Sequence, residues 1–377
     1  MATTSTSAFV CLLAGAIVSV CSASASAQDQ PEFVVTTTSV VLDVVVRGRG
    51  HQPVTDLSAD DFEVFEDGRR QMVTGFQYVA SAAASSPDTS FRGEPGTARD
   101  AASMSPTHVV DPPTVVALVF EQLSPEGRRM AQQAATRLVD ADWTPRDRVG
   151  VFVVRGLLEE ILPFSGDQSA ARRAVEAAAT RPGCAVFEPS PASPGASALM
   201  NSCAADDDHR MRGVATLDGL HALVEQLGAF PGRKTVALFS EGLDITSGCR
   251  GQFCDDRKSR FEAVIRAAAV RNVAFYTFDA AGLRLMRMAT GQLMEEPRAA
   301  LSVLARETGG SFAEDTNDLR PAVDRMRADT RGYYMIGFTT ATPESDRPRR
   351  LRVRVRRPGT TVLVRQTYAP APPRQGR

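Results

Sequence analysis

The chain has 377 residues, 43% hydrophobic and 23% charged, a composition that suits a globular protein of about two domains. Its formal net charge of −1 excludes the strongly basic surface typical of general nucleic-acid binding.

The first 27 residues are predicted to be a signal peptide. An apolar run at residues 8–20 is short for a membrane span, and Ala25-Ser26-Ala27 matches the pattern read by signal peptidase. The segment before this run is unusual because it has no Lys or Arg. A lipoprotein signal at Cys21 is disfavoured by the bulky Val20 before it. We therefore expect an exported protein, periplasmic or extracellular, with no later transmembrane segment.

Residues 31–79 are predicted to form a small β unit. The run 33–47 is rich in β-branched residues, and Asp67-Gly68 is a hairpin turn signal between two further strand-like runs. These strands are too few to bury a core alone. The following residues, 80–113, are small, polar and Pro-rich, and predict a flexible linker.

Residues 114–330 alternate between buried-strand runs and helical spacing. This alternation predicts βαβ crossovers and an α/β fold, a Rossmann-like, mostly parallel sheet with helices on both faces. Residues 181–210 interrupt the pattern as an irregular insertion, and a helix is predicted at 214–228. Asp206-Asp207-Asp208 lacks the ligand spacing of a calcium loop and is interpreted as a solvated stretch.

Residues 331–369 return to β structure. In LRVRVR, Leu351 and the two valines share one strand face while the arginines share the other. No aromatic residues alternate with this Arg row, so we interpret it as a solvated face and not as a nucleic-acid stripe. Because the N-terminal strands also lack partners, we expect both sets to form one β-sandwich, with the α/β domain inserted between them.

Four cysteines remain after removal of the leader: Cys184, Cys203, Cys249 and Cys254. An even number in an oxidising compartment predicts disulfides, and three connectivities are possible. Local pairs, Cys184–Cys203 and Cys249–Cys254, are favoured because each would close a loop. A zinc site formed by Cys184, Cys203 and His209 is the alternative, although it lacks a compact ligand spacing.

Five segments together resemble the VWFA-related proteins of the acidobacterial type, whose α/β domain is of the von Willebrand factor type A (vWA) kind. They are VVLDVVVRGRGHQPVTDLSADDFEVFEDGRRQMVTGF, PGRKTVALFSEGLD, YTFDAAGL, LARETGGSFAEDTNDL and RGYYMIGF. The resemblance covers about residues 33–368. It implies a vWA fold with flanking β segments, export, and no established enzymatic role.

The resemblance also implies where a divalent cation such as Mg²⁺ would sit, at the carboxyl edge of the sheet. The vWA ligands are usually an Asp-x-Ser-x-Ser motif, a loop Thr and a second Asp. The matching residues here form a degenerate set: Glu121, Ser124, Thr216, Glu241 and Asp244.

Two hydroxyl positions of the motif are lost, to Leu123 and Pro125. The alternative reading is that both glutamates lie at solvated strand ends and that Thr216 caps its helix.

Enzyme motifs are weak. Ser240 in LFSEG resembles a nucleophile elbow, but Leu238 replaces its first glycine. The chain has four histidines, at positions 51, 108, 209 and 221, and no spacing places one beside Ser240. Gly309-Gly310 follows a predicted helix instead of opening one, so it does not indicate a phosphate loop.

The sequence therefore predicts a non-enzymatic binding or adhesion protein that contacts a protein partner through the carboxyl edge of its sheet. The alternative is a metal-independent envelope scaffold assembled through the β-sandwich, and a hydrolase ranks third. The partner's identity and the oligomeric state stay open.

Overall fold

The computed structural model describes residues 39–80, 113–141, 143–155, 157–181, 206–246, 248–250, 253–283, 296–340 and 347–368. The predicted signal peptide, nearly all of the predicted linker, Cys184 and Cys203 lie outside these ranges. So do the side chains of Cys249, Cys254 and His209.

Sixteen strands lie in the described ranges. In chain order they are β1 (Ser39–Arg47), β2 (Phe62–Glu66), β3 (Arg69–Gln71), β4 (Val73–Ala80), β5 (Val115–Glu121), β6 (Arg148–Val154), β7 (Leu158–Ser165), β8 (Lys234–Ser240), β9 (Gly248–Arg250), β10 (Phe253–Asp255), β11 (Val273–Asp279), β12 (Phe312–Ala313), β13 (Gly332–Thr339), β14 (Arg349–Val355), β15 (Thr361–Leu363) and β16 (Thr367–Tyr368).

Six α-helices lie in the same ranges. They are α1 (Pro125–Val139), α2 (Gln168–Thr180), α3 (Asp206–Leu227), α4 (Arg257–Arg271), α5 (Glu296–Thr308) and α6 (Arg320–Arg331). Two short 3₁₀ helices, Arg49–His51 and Ala59–Asp61, lie between β1 and β2.

The central sheet has six strands in the order β12-β11-β8-β5-β6-β7. All neighbours are parallel except β7, which pairs antiparallel with β6 at the edge. Alternate residues of β5 point to opposite faces: Val116, Leu118 and Phe120 pack with α1, α2 and α6, whereas Val115, Ala117 and Val119 pack with α3, α4 and α5. A buried strand of this kind needs a continuous apolar run, which β5 has.

The N- and C-terminal strands form a β-sandwich. One sheet has the order β15-β1-β13-β4 and the other β16-β14-β2-β3. The alternate residues Val40, Leu42 and Val44 of β1 contribute to the core between the sheets. The β2–β3 turn uses Asp67 at φ 47° and Gly68 at φ 80°, the left-handed pair that a two-residue hairpin requires.

The predicted fold class is confirmed: a mostly parallel α/β sheet with helices on both faces, and a sandwich built from both ends of the chain. Two details differ from expectation. Residues 206–210, assigned to the irregular insertion, are already helical because α3 begins at Asp206. The expected loop around Cys249 and Cys254 contains the hairpin β9–β10.

None of the helices in the described ranges has the combination of length and apolarity that would let it cross a membrane.

Candidate functional site

The candidate site lies where three parallel strands of the central sheet end. Glu121 is the Cα partner of Ser240, and Ser240 is the partner of Asp279, so the last residues of β5, β8 and β11 stand side by side. The loops that follow, residues 122–124, 241–244 and 280–283, together with Leu157 in the β6–β7 turn, are called the rim below. Loops at the carboxyl ends of parallel strands are where open α/β sheets place their ligand sites.

Glu121 is buried at the centre of this arrangement. Ser240 Oγ donates a hydrogen bond to its Oε2 at 2.6 Å, and Thr216 Oγ1 donates to its Oε1 at 3.2 Å. Burial raises the pKa of Glu121 to about 7; the two hydroxyl bonds oppose this rise, and the nearby Glu241 carboxylate adds to it. The structure thus brings Glu121 and Thr216 together, as the sequence predicted.

Thr216 does not cap its helix, because it lies in the middle of α3. Its hydroxyl also accepts a hydrogen bond from Gln122 Nε2 at 3.1 Å. Gln122 has φ 43°, a left-handed conformation that is uncommon for residues other than glycine. The polar contact therefore accompanies a sharp turn directly after β5.

Ser240 is a partner of Glu121 and is not accessible as a nucleophile. Its side chain is completely buried, and its Oγ also accepts a hydrogen bond from Gly242 N at 3.0 Å. A substrate cannot reach a hydroxyl in this position. Sequence reasoning considered Ser240 only as a nucleophile and missed this role.

Ser124 and Glu241 meet at the start of α1. Ser124 N donates to Glu241 Oε1 at 2.8 Å, and Ser124 Oγ accepts from Gly127 N at 3.1 Å as the helix N-cap. A Cβ on Gly127 would collide with Glu241 Oε1, so the close approach of this carboxylate requires glycine. The hydroxyl considered as a metal ligand is thus engaged in capping.

Asp244, the fifth predicted ligand, is engaged elsewhere. Its carboxylate forms an ion pair with the buried Arg257 of α4, and Oδ1 accepts from Thr246 N at 3.0 Å. The structure therefore groups Glu121, Ser124, Thr216 and Glu241, while Asp244 contacts Arg257 and Thr246.

Asp279 is the last residue of β11, and the sequence did not identify it as a site residue. Its side chain is completely buried, with Oδ2 placed 2.9 Å from Nε of Arg298, and its Oδ1 accepts from Ala281 N at 3.0 Å. Arg298 also reaches Glu314 and Asp315 at 3.0 and 2.7 Å. The available signal was an acidic residue that ends the apolar run VAFYTF.

These side chains do not fit a divalent cation in the arrangement observed. Both oxygens of Glu121 accept bonds from hydroxyls, and Leu123 and Pro125 offer no ligand atom because their side chains are hydrocarbons. Within the described ranges, no group of three or more His, Cys, Asp or Glu side chains is placed to hold a metal. Octahedral oxygen coordination of Mg²⁺ would need these hydrogen bonds to rearrange.

No protein-family model matches the chain, and neither does any curated protein. Among solved structures, the chain is similar to a von Willebrand factor type A protein from Catenulispora acidiphila, with 12% identity, coverage of 67% of this chain and 65% of that one, and a TM-score of 0.37. The vWF domain of the type V pili tip protein Mfa5 from Porphyromonas gingivalis has 12% identity over 58% of this chain and 95% of its own, with a TM-score of 0.36.

BatB from Bacteroides thetaiotaomicron, described as a conserved hypothetical protein, has 13% identity over 58% of this chain and 98% of its own, with a TM-score of 0.35. The mostly parallel central sheet with helices on both faces follows from this chain's own strand order.

Proposed function

We propose that the chain is an exported, non-enzymatic binding protein whose rim contacts a protein partner without the help of a metal ion. The observation that carries the proposal is the composition of the rim surface. Leu157 and Leu283 are 80% and 61% exposed, and they follow β6 and β11, which lie on either side of β8, the strand that precedes the partly exposed Glu241. Exposed large apolar side chains next to polar groups mark candidate protein-binding surfaces, which combine apolar and polar residues.

The buried hydrogen bonds beneath the rim support this reading because they hold its loops in one conformation. Glu121 connects the end of β5 to that of β8 through Ser240 and to α3 through Thr216. A preorganised surface loses less conformational entropy on binding than a mobile one. The complete burial of Ser240 supports the absence of hydrolase activity.

Site-specific photo-cross-linking in the native cell envelope tests the proposal. A photoreactive amino acid is placed at Leu157 or Leu283 in the full chain. Val270 and Val41 are matched controls, because they are exposed apolar positions, 60% and 46% accessible, in α4 and β1. We expect both rim positions to cross-link to one and the same protein and neither control to do so.

Equal cross-linking from rim and control positions would contradict the proposal. Cross-linking from Val41 alone would favour the scaffold alternative, because β1 belongs to the sandwich. Purified partner would then be titrated against the Leu157→Asp and Leu283→Asp variants, each of which should weaken binding by about tenfold if the residue is a central apolar contact.

A further inference from the structure

Strand β14 is paired along most of its length on one side and only at its start on the other. On one side, β2 pairs with it from Leu351 to Val355. On the other side, β16 pairs only with Arg349 and Arg350, and Leu351 N donates to Gln366 O at 2.7 Å. Beyond that contact, no strand in the described ranges pairs with this edge of β14.

The backbone groups that face the open edge follow from the alternation of an antiparallel strand. Arg350 O accepts from Asp67 N at 2.9 Å, toward β2, whereas the N–H of the next residue donates in the opposite direction. Successive residues direct their N–H and C=O groups to alternate sides. Val353 and Val355 therefore present theirs to the open edge.

A groove of about 550 Å³ runs along this edge. One wall is β14, and the other is the segment that passes through Val362 and Val364 to Thr367 together with Glu307 of α5, whose carboxylate is paired with Arg306 at 3.7 Å. Both of these valines are half-buried and pack against the sandwich core, so the inner side of the groove is apolar. At a rise of about 3.3 Å per residue, Leu351 to Val355 offers an edge roughly 13 Å long.

The outer side of the groove is basic. Arg350, Arg352 and Arg354 are exposed on one face of β14, the face opposite Leu351 and Val353. Among the residues that the structure describes, no carboxylate forms an ion pair with these three side chains. The guanidinium of Arg354 lies 5.4 Å from the centre of the Phe65 ring, which holds it beside the groove.

We propose that the open edge of β14 binds an extended peptide of alternating acidic and apolar residues, which adds to the sheet as a further strand. The peptide backbone would bond to the N–H and C=O groups of Val353 and Val355, as in other strand-addition complexes. Its acidic side chains would lie beside Arg352 and Arg354, and its apolar ones above Val362 and Val364. A second copy of β14 is disfavoured as the occupant because antiparallel pairing would oppose arginine to arginine.

The test uses the full chain and a synthetic peptide of alternating Glu and Val, roughly eight residues long so that it exceeds the open edge. Affinity is measured by calorimetry, and hydrogen exchange is followed at the amides of Val353 and Val355. The charge-reversal variant R352E/R354E is compared with R69E/R70E, whose exposed arginines lie on β3 at the opposite edge of the same sheet. We expect R352E/R354E to weaken binding by about tenfold or more, R69E/R70E to leave it nearly unchanged, and both amides to exchange more slowly in the complex.

Four results would overturn the proposal: no binding, equal binding of a Lys–Val peptide, equal weakening by both double variants, or preference for a single-stranded oligonucleotide over the peptide. Protection of both amides before peptide is added would also overturn the proposal, because another part of this chain, or a second copy, would then already cover the edge. The site is independent of the rim, so Leu157→Asp and Leu283→Asp should leave peptide affinity unchanged.

Discussion

At the scale of single residues, Glu121 is expected to make the free energy of unfolding depend on pH. Its ordinary pKa of 4.5 rises to about 7 in the folded chain because the carboxylate is removed from water. Protonated Glu121 therefore stabilises the fold fully below about pH 4.5, and this contribution is lost as pH rises through about 7. The shift corresponds to a free energy on the order of 3 kcal/mol.

We expect Glu121→Gln to reduce the loss of unfolding free energy that the native chain shows between about pH 5 and about pH 8. The amide has no proton to release, and its NH₂ group can donate to the hydroxyl of Ser240 or Thr216. Urea unfolding followed by circular dichroism at several pH values measures the effect. Glu126→Gln is the control, because Glu126 is an exposed carboxylate on α1. An unchanged pH dependence in Glu121→Gln would contradict the assignment.

The expected response to divalent metal ions also follows from the contacts of single residues. Because the hydroxyls and carboxylates of the predicted ligands are already engaged in hydrogen bonds or ion pairs within the protein, we expect calorimetric titration with Mg²⁺, Ca²⁺ or Mn²⁺ to show no binding and no rise in Tm. Stabilisation by an ion that disappears in Glu241→Ala, but not in Glu262→Ala on α4, would instead establish the degenerate vWA site. Glu262 is a suitable control because its side chain is 50% exposed.

At the scale of elements, the strands and helices of the central sheet could be predicted because each has a strong apolar pattern. The run TVVALVF corresponds to β5, and the helical spacing at residues 123–140 corresponds to α1. The partner of Glu121 could not be predicted in the same way. Ser240 lies 119 positions further along the chain, and only the register between β5 and β8 places the two side chains together.

The hairpin β9–β10 was missed because its two strands have three residues each and no alternation of apolar and polar positions. In this hairpin Cys249 and Cys254 are direct Cα partners. The proposed Cys249–Cys254 and Cys184–Cys203 disulfides stay predictions, which peptide mapping of the unreduced protein can test.

At the scale of the whole molecule, a buried ion pair joins the sandwich to the α/β domain. Arg47 of β1 donates from Nε to Asp329 Oδ1 of α6 at 2.9 Å, and a second contact joins Nη2 to Oδ2. Tyr276 of β11 donates to the same carboxylate at 2.9 Å. The two charged side chains are only 6% and 2% exposed, so removal of one partner would leave the other unpaired and without water.

We expect Asp329→Ala to lower the free energy of unfolding by about 3–5 kcal/mol in a denaturant titration. The double variant Arg47→Met/Asp329→Leu should recover part of this loss, because neither charge remains. Asp324→Ala is the matched control: Asp324 is also on α6 and pairs with Arg137, but both side chains are exposed, so the expected loss is about 1 kcal/mol or less. Similar losses for Asp329→Ala and Asp324→Ala would show that the buried pair does not lock the two parts together.

The pairing of β1 with β13 and β15 has a consequence for the order in which the protein matures. Strand β1 can pair with β13 and β15 only after the C-terminal part of the chain has been synthesised, and its Arg47 is likewise separated from Asp329 by 282 positions. Residues 115–331 can form the central sheet and its helices before β1 has its partners. Until then the side chains of Val40, Leu42 and Val44 are not buried. A chain truncated before β13 would leave the apolar side chains of β1 exposed. We expect such truncated products to aggregate or to be bound by chaperones.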